Sequence, residues 1–273
     1  TLLNEGPFTR DEIRAYEKEF LTAVPEGLAE RRPLVVVVDC STFDRPGSVI
    51  LPFRGAKTVV FDHHSSGEQF TSPELMYIKS ASVSTTLIID HLRESLSVEL
   101  DYELAMYIYK GFATDTGFFH FLNERNGGET LRRVSHLVDQ GVSPYVIYDE
   151  MHDGKPLAYF SFVSTLIQRV RSAFSGRLLY TYQKADDVVE GKPADDIYSQ
   201  LLQVSGVRVV LFFKEKDGFV EIGMRSKNKS GIDIGAFASA HGGGGHMYAA
   251  GAMMKGRLDE IIDLVIRDLS RLL

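Results

Sequence analysis

The sequence contains LVVVVD at residues 34–39 and TVVFDHH at residues 58–64, and these two stretches decide the expected fold. Each opens with a run of mainly β-branched residues, which is typical of a strand buried on both faces of a parallel sheet. Turn signals separate the two runs, and apolar residues then recur at helical spacing in residues 81–95 and 102–113. This alternation predicts an α/β fold built on a doubly wound, largely parallel sheet.

Both predicted strands end in an aspartate, Asp39 and Asp62. Ligands of open α/β sheets bind beyond the carboxyl ends of the strands, so we expect both side chains to face one crevice. His63 and His64 follow directly, and Asp115 lies at the end of a predicted helix. An aspartate after a strand is more often a turn or cap residue, but these features are predicted to share one edge. Carboxylates with imidazole and no thiolate suit Mn²⁺, with Mg²⁺, Co²⁺ or Fe²⁺ as alternatives.

The pattern changes after residue 175, where predicted strands at 177–182, 207–213 and 219–224 accompany a helix at 194–204. This half is therefore expected to be a smaller α+β domain. The expected organisation is a first domain over residues 1–155, a helical linker over 156–172 and a second domain over 173–273.

A second group of candidate residues lies in the C-terminal half. Gly242–Gly245 can expose several backbone N–H groups to one anion, and His246 follows as a donor. Arg225, next to Ser226 at the end of a predicted strand, could bind a phosphate through both guanidinium nitrogens. The alternatives are a flexible glycine loop and a solvated surface arginine. The residues alone leave these alternatives open.

Composition narrows the function classes. The 273 residues include 30 basic and 37 acidic side chains, for a net charge of −7, which is the wrong sign for wrapping long duplex DNA. Cys40 is the only cysteine, so no internal disulfide can form, and the apolar runs are too short to span a membrane. We see no signal peptide and expect a cytoplasmic protein that binds neither membranes nor long duplexes.

Four motifs in this order carry a family resemblance: VVVVDC at 35–40, FDHH at 61–64, GFATDTG at 111–117, and GGGGH at 242–246 with AAG at 249–251. They resemble the DHH phosphoesterase superfamily with its C-terminal DHHA1 domain, across nearly the whole chain. The chain is most similar to the bacterial oligoribonuclease and pAp-phosphatase branch, where pAp is 3′-phosphoadenosine 5′-phosphate. The resemblance implies Mn²⁺-dependent hydrolysis of short 5′-phosphorylated RNA or DNA, such as pApA, to mononucleotides, and of pAp to AMP. A homodimer is an open alternative to a monomer.

The resemblance also assigns roles to residues. It implies that Asp39 bridges two Mn²⁺ ions, that His63 and Asp115 bind one of them, that His64 contacts the scissile phosphate and that Asp62 orients His63. The residues that it implies for binding the terminal phosphate and nucleotide are Arg225, Ser226, Gly243, Gly244, Gly245 and His246.

One family motif is not found in this sequence. The family opens with His-x-x-x-Asp-x-Asp, which completes both metal sites, and no such motif precedes Asp39. Residues 1–8 resemble the family's second strand, so we expect that a preceding segment carries the motif. The alternative is a catalytically weak nucleotide-binding protein that lacks one metal site.

Overall fold

The computed structural model describes most of the chain and divides it into two compact units, Thr1–Asp153 and Gly154–Leu273. Both combine helices with sheets that contain parallel strand pairs, which confirms the predicted α/β class. Within the described ranges, no helix is long and apolar enough to cross a membrane. The described residues are 1–6, 8, 14–40, 46–64, 75–79, 84–187, 191 and 193–273.

The first unit contains a three-stranded parallel sheet in the order β1-β2-β3. The strands are β1 (Val35–Val38), β2 (Thr58–Asp62) and β3 (Leu75–Lys79). Val38 pairs with Phe61, so the parallel register brings the carboxyl ends of β1 and β2 to the same edge. This is the placement on which the predicted crevice depends.

The prediction that both strands are buried on both faces is right for β2 and wrong for β1. In β2, Val60 is fully buried and Phe61 is 6% exposed. In β1, Val37 is 5% exposed, whereas Val36 and Val38 are 53% and 49% exposed. Strand β1 is an edge strand of the described sheet, and alternate residues point to opposite faces, so one of its faces remains open to solvent.

Helices form the main core of the first unit, and buried residues of its sheet form a separate small cluster. A close approach between the helices that contain Thr86 and Gly111 fixes their relative position, because a Cβ on Gly111 would collide with the hydroxyl of Thr86. Residues 81–83 of the predicted first helix lie outside the described residues. The helices are α1 (Thr85–Ser95), α2 (Tyr102–Thr116), α3 (Gly127–Asp139) and α4 (Pro144–His152), with 3-10 turns at Glu17–Glu19 and Ser48–Phe53.

The second unit is built on a six-stranded mixed sheet in the order β4-β5-β6-β7-β9-β8. Strands β5 and β6 are parallel, and the other neighbours are antiparallel. The predicted hairpin is present, with Asp217 and Gly218 as its two-residue turn and Gly218 at a φ of +73°. The strands are β4 (Arg171–Ala173), β5 (Leu178–Gln183), β6 (Val209–Lys216), β7 (Phe219–Ser226), β8 (Gly244–His246) and β9 (Ala249–Lys255).

Each face of this sheet is covered by its own pair of helices. One face packs against α5 (Leu157–Gln168) and α6 (Ala194–Leu201), and the other against α7 (Ile234–Ala240) and α8 (Leu258–Leu269). We expected residues 156–172 to form a linker between the domains. Instead, α5 is part of the second unit, because its apolar side chains Tyr159, Val163 and Leu166 are buried in one hydrophobic core with residues of β5 and β6.

Candidate metal centre and anion-binding residues

Asp39 lies immediately beyond β1, where its backbone N–H donates to the carbonyl of Phe61 at 2.8 Å. Its φ of +59° is in the left-handed region, which aspartate tolerates better than most residues. The turn leaves the side chain 46% exposed. The carboxylate is thus held at the predicted sheet edge and accessible to a ligand.

The two histidines that follow β2 meet Asp39 at this edge. Its Oδ1 lies 3.5 Å from Nε2 of His63 and 3.8 Å from Nδ1 of His64. One ligand atom from each of the three residues lies within 4.8 Å of the others. This spacing is compact enough for one metal ion to contact all three side chains.

Asp62 contacts His64, whereas the family resemblance led us to expect His63. Its fully buried Oδ1 lies 2.6 Å from Nδ1 of His64, and it also accepts the backbone N–H of His64 at 3.3 Å. Side chains two residues apart in an extended chain lie on the same side, so Asp62 faces His64 rather than His63. An ionised carboxylate can only accept a hydrogen bond, so this contact favours the His64 tautomer that carries its proton on Nδ1.

Asp115 is in the last turn of α2, one residue before the end of the helix. Its Oδ2 accepts the hydroxyl of Ser84 at 2.6 Å. Burial raises the pKa of Asp115, and the nearby charge of Asp39 acts in the same direction, while the Ser84 hydrogen bond and His63 oppose the shift. Asp115 therefore faces the centre, although it lies outside the group whose ligand atoms are within 4.8 Å.

Sequence reasoning missed two hydroxyl residues at the start of α1. Ser84 is the N-cap of this helix, and its neighbour Thr85 donates to Oδ1 of Asp39 at 2.7 Å. A pocket of about 320 Å³ includes Asp39, Thr85 and Asp115 in its lining. The spacing of Ser84 before an apolar helix indicates a cap, but no local signal reveals that either hydroxyl contacts a distant carboxylate.

The donor set of this centre fits a divalent cation. Two carboxylates and two imidazoles offer oxygen and nitrogen ligands without a thiolate, which is the set that Mn²⁺, Fe²⁺ and Co²⁺ accept. A cation would also reduce the repulsion between the negative charges of Asp39 and the partly buried Asp115. The residues present therefore fit a metal ion, and their geometry does not select one metal.

In the second unit, the register brings Arg225 and His246 into one row. Arg225 pairs with Ala249, and Ala249 pairs with His246 on its other side. Residues directly opposite one another in antiparallel strands project from the same face. Two of the predicted anion-binding side chains are thus separated only by the methyl group of Ala249.

Beside this row lies a strip of sheet without side chains. Gly223, Gly251 and Gly244 are in register across β7, β9 and β8. A Cβ on Gly244 would point into open space, whereas one on Gly223 would collide with the hydroxyl of Tyr198. The strip is therefore covered at one end by Tyr198 and open at the other.

Tyr198 also supports Arg225. The guanidinium carbon lies 4.5 Å from the centre of the Tyr198 ring, a cation–π geometry, and Nη2 is 3.9 Å from a carboxylate oxygen of Asp195. Burial raises the pKa of Tyr198, so its hydroxyl stays protonated. Arg225 is held on the sheet face and remains 32% exposed, rather than extending freely into solvent.

Ser226 and the glycine block differ from what we expected. Ser226 is 5% exposed, and its hydroxyl lies within hydrogen-bonding distance of the carbonyls of Ile232 and Met247, which favours a structural role. Part of the glycine block is strand β8 rather than a flexible loop. Gly243 and Gly245 lie so close to β9 that a Cβ on either would collide with its backbone.

Comparisons with known proteins agree with this organisation. Residues 175–271 match the model of the DHHA1 domain. The bifunctional oligoribonuclease and PAP phosphatase NrnA of Thermus thermophilus is 30% identical over 206 residues, which cover 75% of this chain and 61% of the relative. The chain is thus similar to the DHH/DHHA1 phosphoesterases over most of its length. The resemblance stated from the motifs is thereby confirmed.

Further comparisons extend the likeness beyond the DHHA1 domain. The Bacillus subtilis protein of the same name is 27% identical over 227 residues, which cover 80% of this chain and 69% of the relative. A crystal structure of an exopolyphosphatase-related protein from Bacteroides fragilis superposes with a TM-score of 0.80 at 19% identity, covering 96% of this chain and 81% of that one, and supports the fold. The chain spans about three fifths of the length of the Thermus relative.

Proposed function

We propose that this chain is a metal-dependent phosphoesterase that hydrolyses short 5′-phosphorylated oligonucleotides such as pApA to mononucleotides, and pAp to AMP. The observation that carries the proposal is the cluster of Asp39, His63 and His64, whose ligand atoms lie within 4.8 Å of one another. The proposal is also supported by the sequence similarity to the two NrnA proteins, which are named for both activities.

Asp39, His63 and Asp115 are the proposed metal ligands, and Mn²⁺ is the proposed ion. When bound, such an ion supplies Lewis-acid activation of water and neutralises charge on the phosphate. Thr85 and Ser84 each donate a hydrogen bond to one of the two carboxylates and so hold them in place. The chain thus presents its acidic ligands in fixed positions before a metal arrives.

His64 is the proposed contact to the scissile phosphate, with Asp62 as its positioning residue. With its proton on Nδ1, His64 would donate to Asp62, and the ring could not rotate without breaking this hydrogen bond at a fully buried carboxylate. Nε2, on the opposite side of the ring, is the atom that would face the substrate. This arrangement places one imidazole in a defined orientation.

The second unit is proposed to bind the nucleotide. Arg225 and His246 project from the same face of the sheet, and both can donate hydrogen bonds to phosphate oxygens. The bare strip is open at Gly244 and leaves space there for a flat group beside them. A ligand with a phosphate next to a planar base fits this face, and a mononucleotide unit has that shape.

The test is AMP release from 5′-pApA in the presence of Mn²⁺, with pAp assayed alongside, EDTA as the metal control, and Mg²⁺ and Co²⁺ in parallel. Asp39→Asn should abolish release, whereas Asp139→Asn, an exposed acid on α3, should leave the rate within twofold of wild type. Arg225→Ala should mainly raise KM, because it removes a contact made before the chemical step. Normal turnover by the Asp39→Asn protein would refute the metal assignment.

A second candidate function is nucleotide binding without turnover. It is favoured by one observation: among the described residues, a single cluster of histidine and acidic side chains has the spacing of a metal site. Stoichiometric binding of pApA with no AMP release in any of the three metals would support it. For either function we propose a cytoplasmic location, which the single cysteine favours.

A further inference from the structure

The first turn of α1 contacts both carboxylates of the candidate metal centre. Ser84 donates to Oδ2 of Asp115 at 2.6 Å, and the next residue, Thr85, donates to Oδ1 of Asp39 at 2.7 Å. Ser84 is fully buried, and Thr85 is 3% exposed. Two consecutive hydroxyl groups therefore link two carboxylates that come from different elements of the first unit.

Ser84 is itself fixed by the helix that it begins. Its oxygen accepts the backbone N–H of Thr86 at 2.9 Å while its proton is donated to Asp115. The hydroxyl thus caps α1 and binds the carboxylate in the same geometry, and neither role can be lost without disturbing the other. The position of Asp115 is tied to the start of α1 rather than to solvent.

The packing of α1 on α2 fixes the position of Asp115 relative to Ser84. The hydroxyl of Thr86 lies against Gly111, where a Cβ would collide with it. Asp115 is four residues beyond Gly111 in α2, so it lies on the same face one turn further along. The close approach of the two helices therefore brings Asp115 within reach of Ser84.

Each hydroxyl donates a hydrogen bond to one oxygen of its carboxylate. Thr85 uses Oδ1 of Asp39, the oxygen that also faces His63 at 3.5 Å, and Ser84 uses Oδ2 of Asp115. Hydrogen bonds of this kind orient carboxylate ligands and fix which lone pairs point at a metal. The remaining lone pairs are the ones that can reach a cation.

We infer that Ser84 and Thr85 are positioning residues of the metal centre, which set the separation and orientation of Asp115 and Asp39 before the metal binds. The inference rests on the metal centre of the proposed function. Neither residue touches the substrate in this account, because each acts through its carboxylate. Metal affinity therefore depends on two hydroxyl groups that are not themselves ligands.

The experiment measures the Kd for Mn²⁺ by calorimetry on the full chain, with no substrate present. Ser84→Gly removes the donor but keeps a residue that is tolerated as a helix N-cap, and Thr85→Val removes the donor with little change of shape. Each should raise the Kd about 10- to 100-fold, the usual effect of losing a group that orients a ligand. Ser84→Thr and Thr85→Ser keep the hydroxyl and should stay within about threefold of wild type, a rescue that a purely structural role would not produce.

Two matched controls separate positioning from helix stability. Ser143 caps α4 through the N–H of Val146, so Ser143→Gly removes a cap of the same kind in the same unit. Thr130 is fully buried and donates to the carbonyl of Asn126, so Thr130→Val removes a buried hydroxyl that contacts no carboxylate. Both controls should bind Mn²⁺ within about twofold of wild type when their metal-free Tm matches that of the test variants.

The outcomes distinguish the two proposals. Wild-type affinity in both Ser84→Gly and Thr85→Val, or an equal loss in the controls, would overturn this inference while leaving the metal centre in place. Failure of the wild-type chain to bind Mn²⁺, or equal binding by Asp39→Asn, would overturn the proposed centre and the inference with it. Should one variant fail to fold, the other decides the question, since each hydroxyl contacts a different carboxylate.

Discussion

Oδ1 of Asp62 lies 2.6 Å from Nδ1 of His64, and the carboxylate is completely shielded from solvent. The contact favours the tautomer with the proton on Nδ1, which leaves Nε2 as the nitrogen that we propose faces the substrate. A hydrogen bond to an ionised carboxylate is stronger than one between neutral groups.

Asp62→Asn should therefore change the tautomer of His64. The amide can either donate or accept, so both neutral tautomers become accessible, and kcat should fall about 10- to 100-fold, as for other partners that orient an active-site imidazole. Long-range ¹H–¹⁵N NMR of the metal-free chain reads the tautomer directly. His152, whose Nδ1 faces the carbonyl of Tyr148 at 2.9 Å, serves as the internal control and should not change. An unaltered His64 spectrum would contradict the assignment.

Neighbouring glycines of the glycine block should respond differently to alanine. A Cβ on Gly243 would collide with the backbone of Gly251 and Ala252, whereas one on Gly244 meets no atom within 4 Å. Gly243→Ala should lower the free energy of unfolding by about 1–3 kcal/mol, because backbone atoms cannot move aside easily. Gly244→Ala should leave stability unchanged and raise KM, since its methyl group projects onto the bare strip. Urea unfolding and steady-state kinetics check both, and similar stability of the two variants would contradict the geometry.

Tyr198 and Gly223 form a pair that a double mutant can test. A Cβ at position 223 would collide with the Tyr198 hydroxyl, so Gly223→Ala should cost about 1–3 kcal/mol of stability. Tyr198→Phe removes the colliding atom, and the double variant should recover part of that loss. The two effects should be non-additive in a double-mutant cycle. Additive losses would show that the alanine is accommodated in another way.

Arg169 and Asp187 should make stability depend on pH in the acid range. The two-pronged Arg169 contact, with one N–O distance of 2.9 Å, holds the pKa of Asp187 below its ordinary value. A lowered pKa in the folded state means that the unfolded chain binds the proton more tightly. The stabilisation is therefore complete above the ordinary carboxyl pKa and is lost as pH falls through the lowered one.

Asp187→Asn should then reduce the free energy of unfolding by about 1 kcal/mol at pH 7. The difference from wild type should be complete above the ordinary carboxyl pKa of about 4 and should shrink as the pH falls below it. Thermal unfolding at several pH values measures it, with the exposed neighbour Asp186 changed to asparagine as control. A difference that stayed constant down to pH 2 would mean that the ion pair is not its source.

The sequence by itself predicted the elements whose signals are local. The apolar run before Asp39, the run before Asp62 and the Asp217-Gly218 turn all lie within a few residues of the structure that they predict. Because parallel strands end at one edge, the meeting of Asp39 with His63 also followed from sequence. Strand β3 was not predicted, since Leu75–Lys79 lacks a β-branched run.

Only the tertiary structure decided which side chains meet across long separations. Thr85 binds a carboxylate 46 residues away, and Ser84 binds one 31 residues away. Arg225 and His246 share a face because three strands pair in one register. Hydrophobic periodicity records which face of an element is buried, but it carries no information about the partner that buries it. The partner is selected by the packing of the whole unit, and so are the hydrogen bonds at the candidate metal centre.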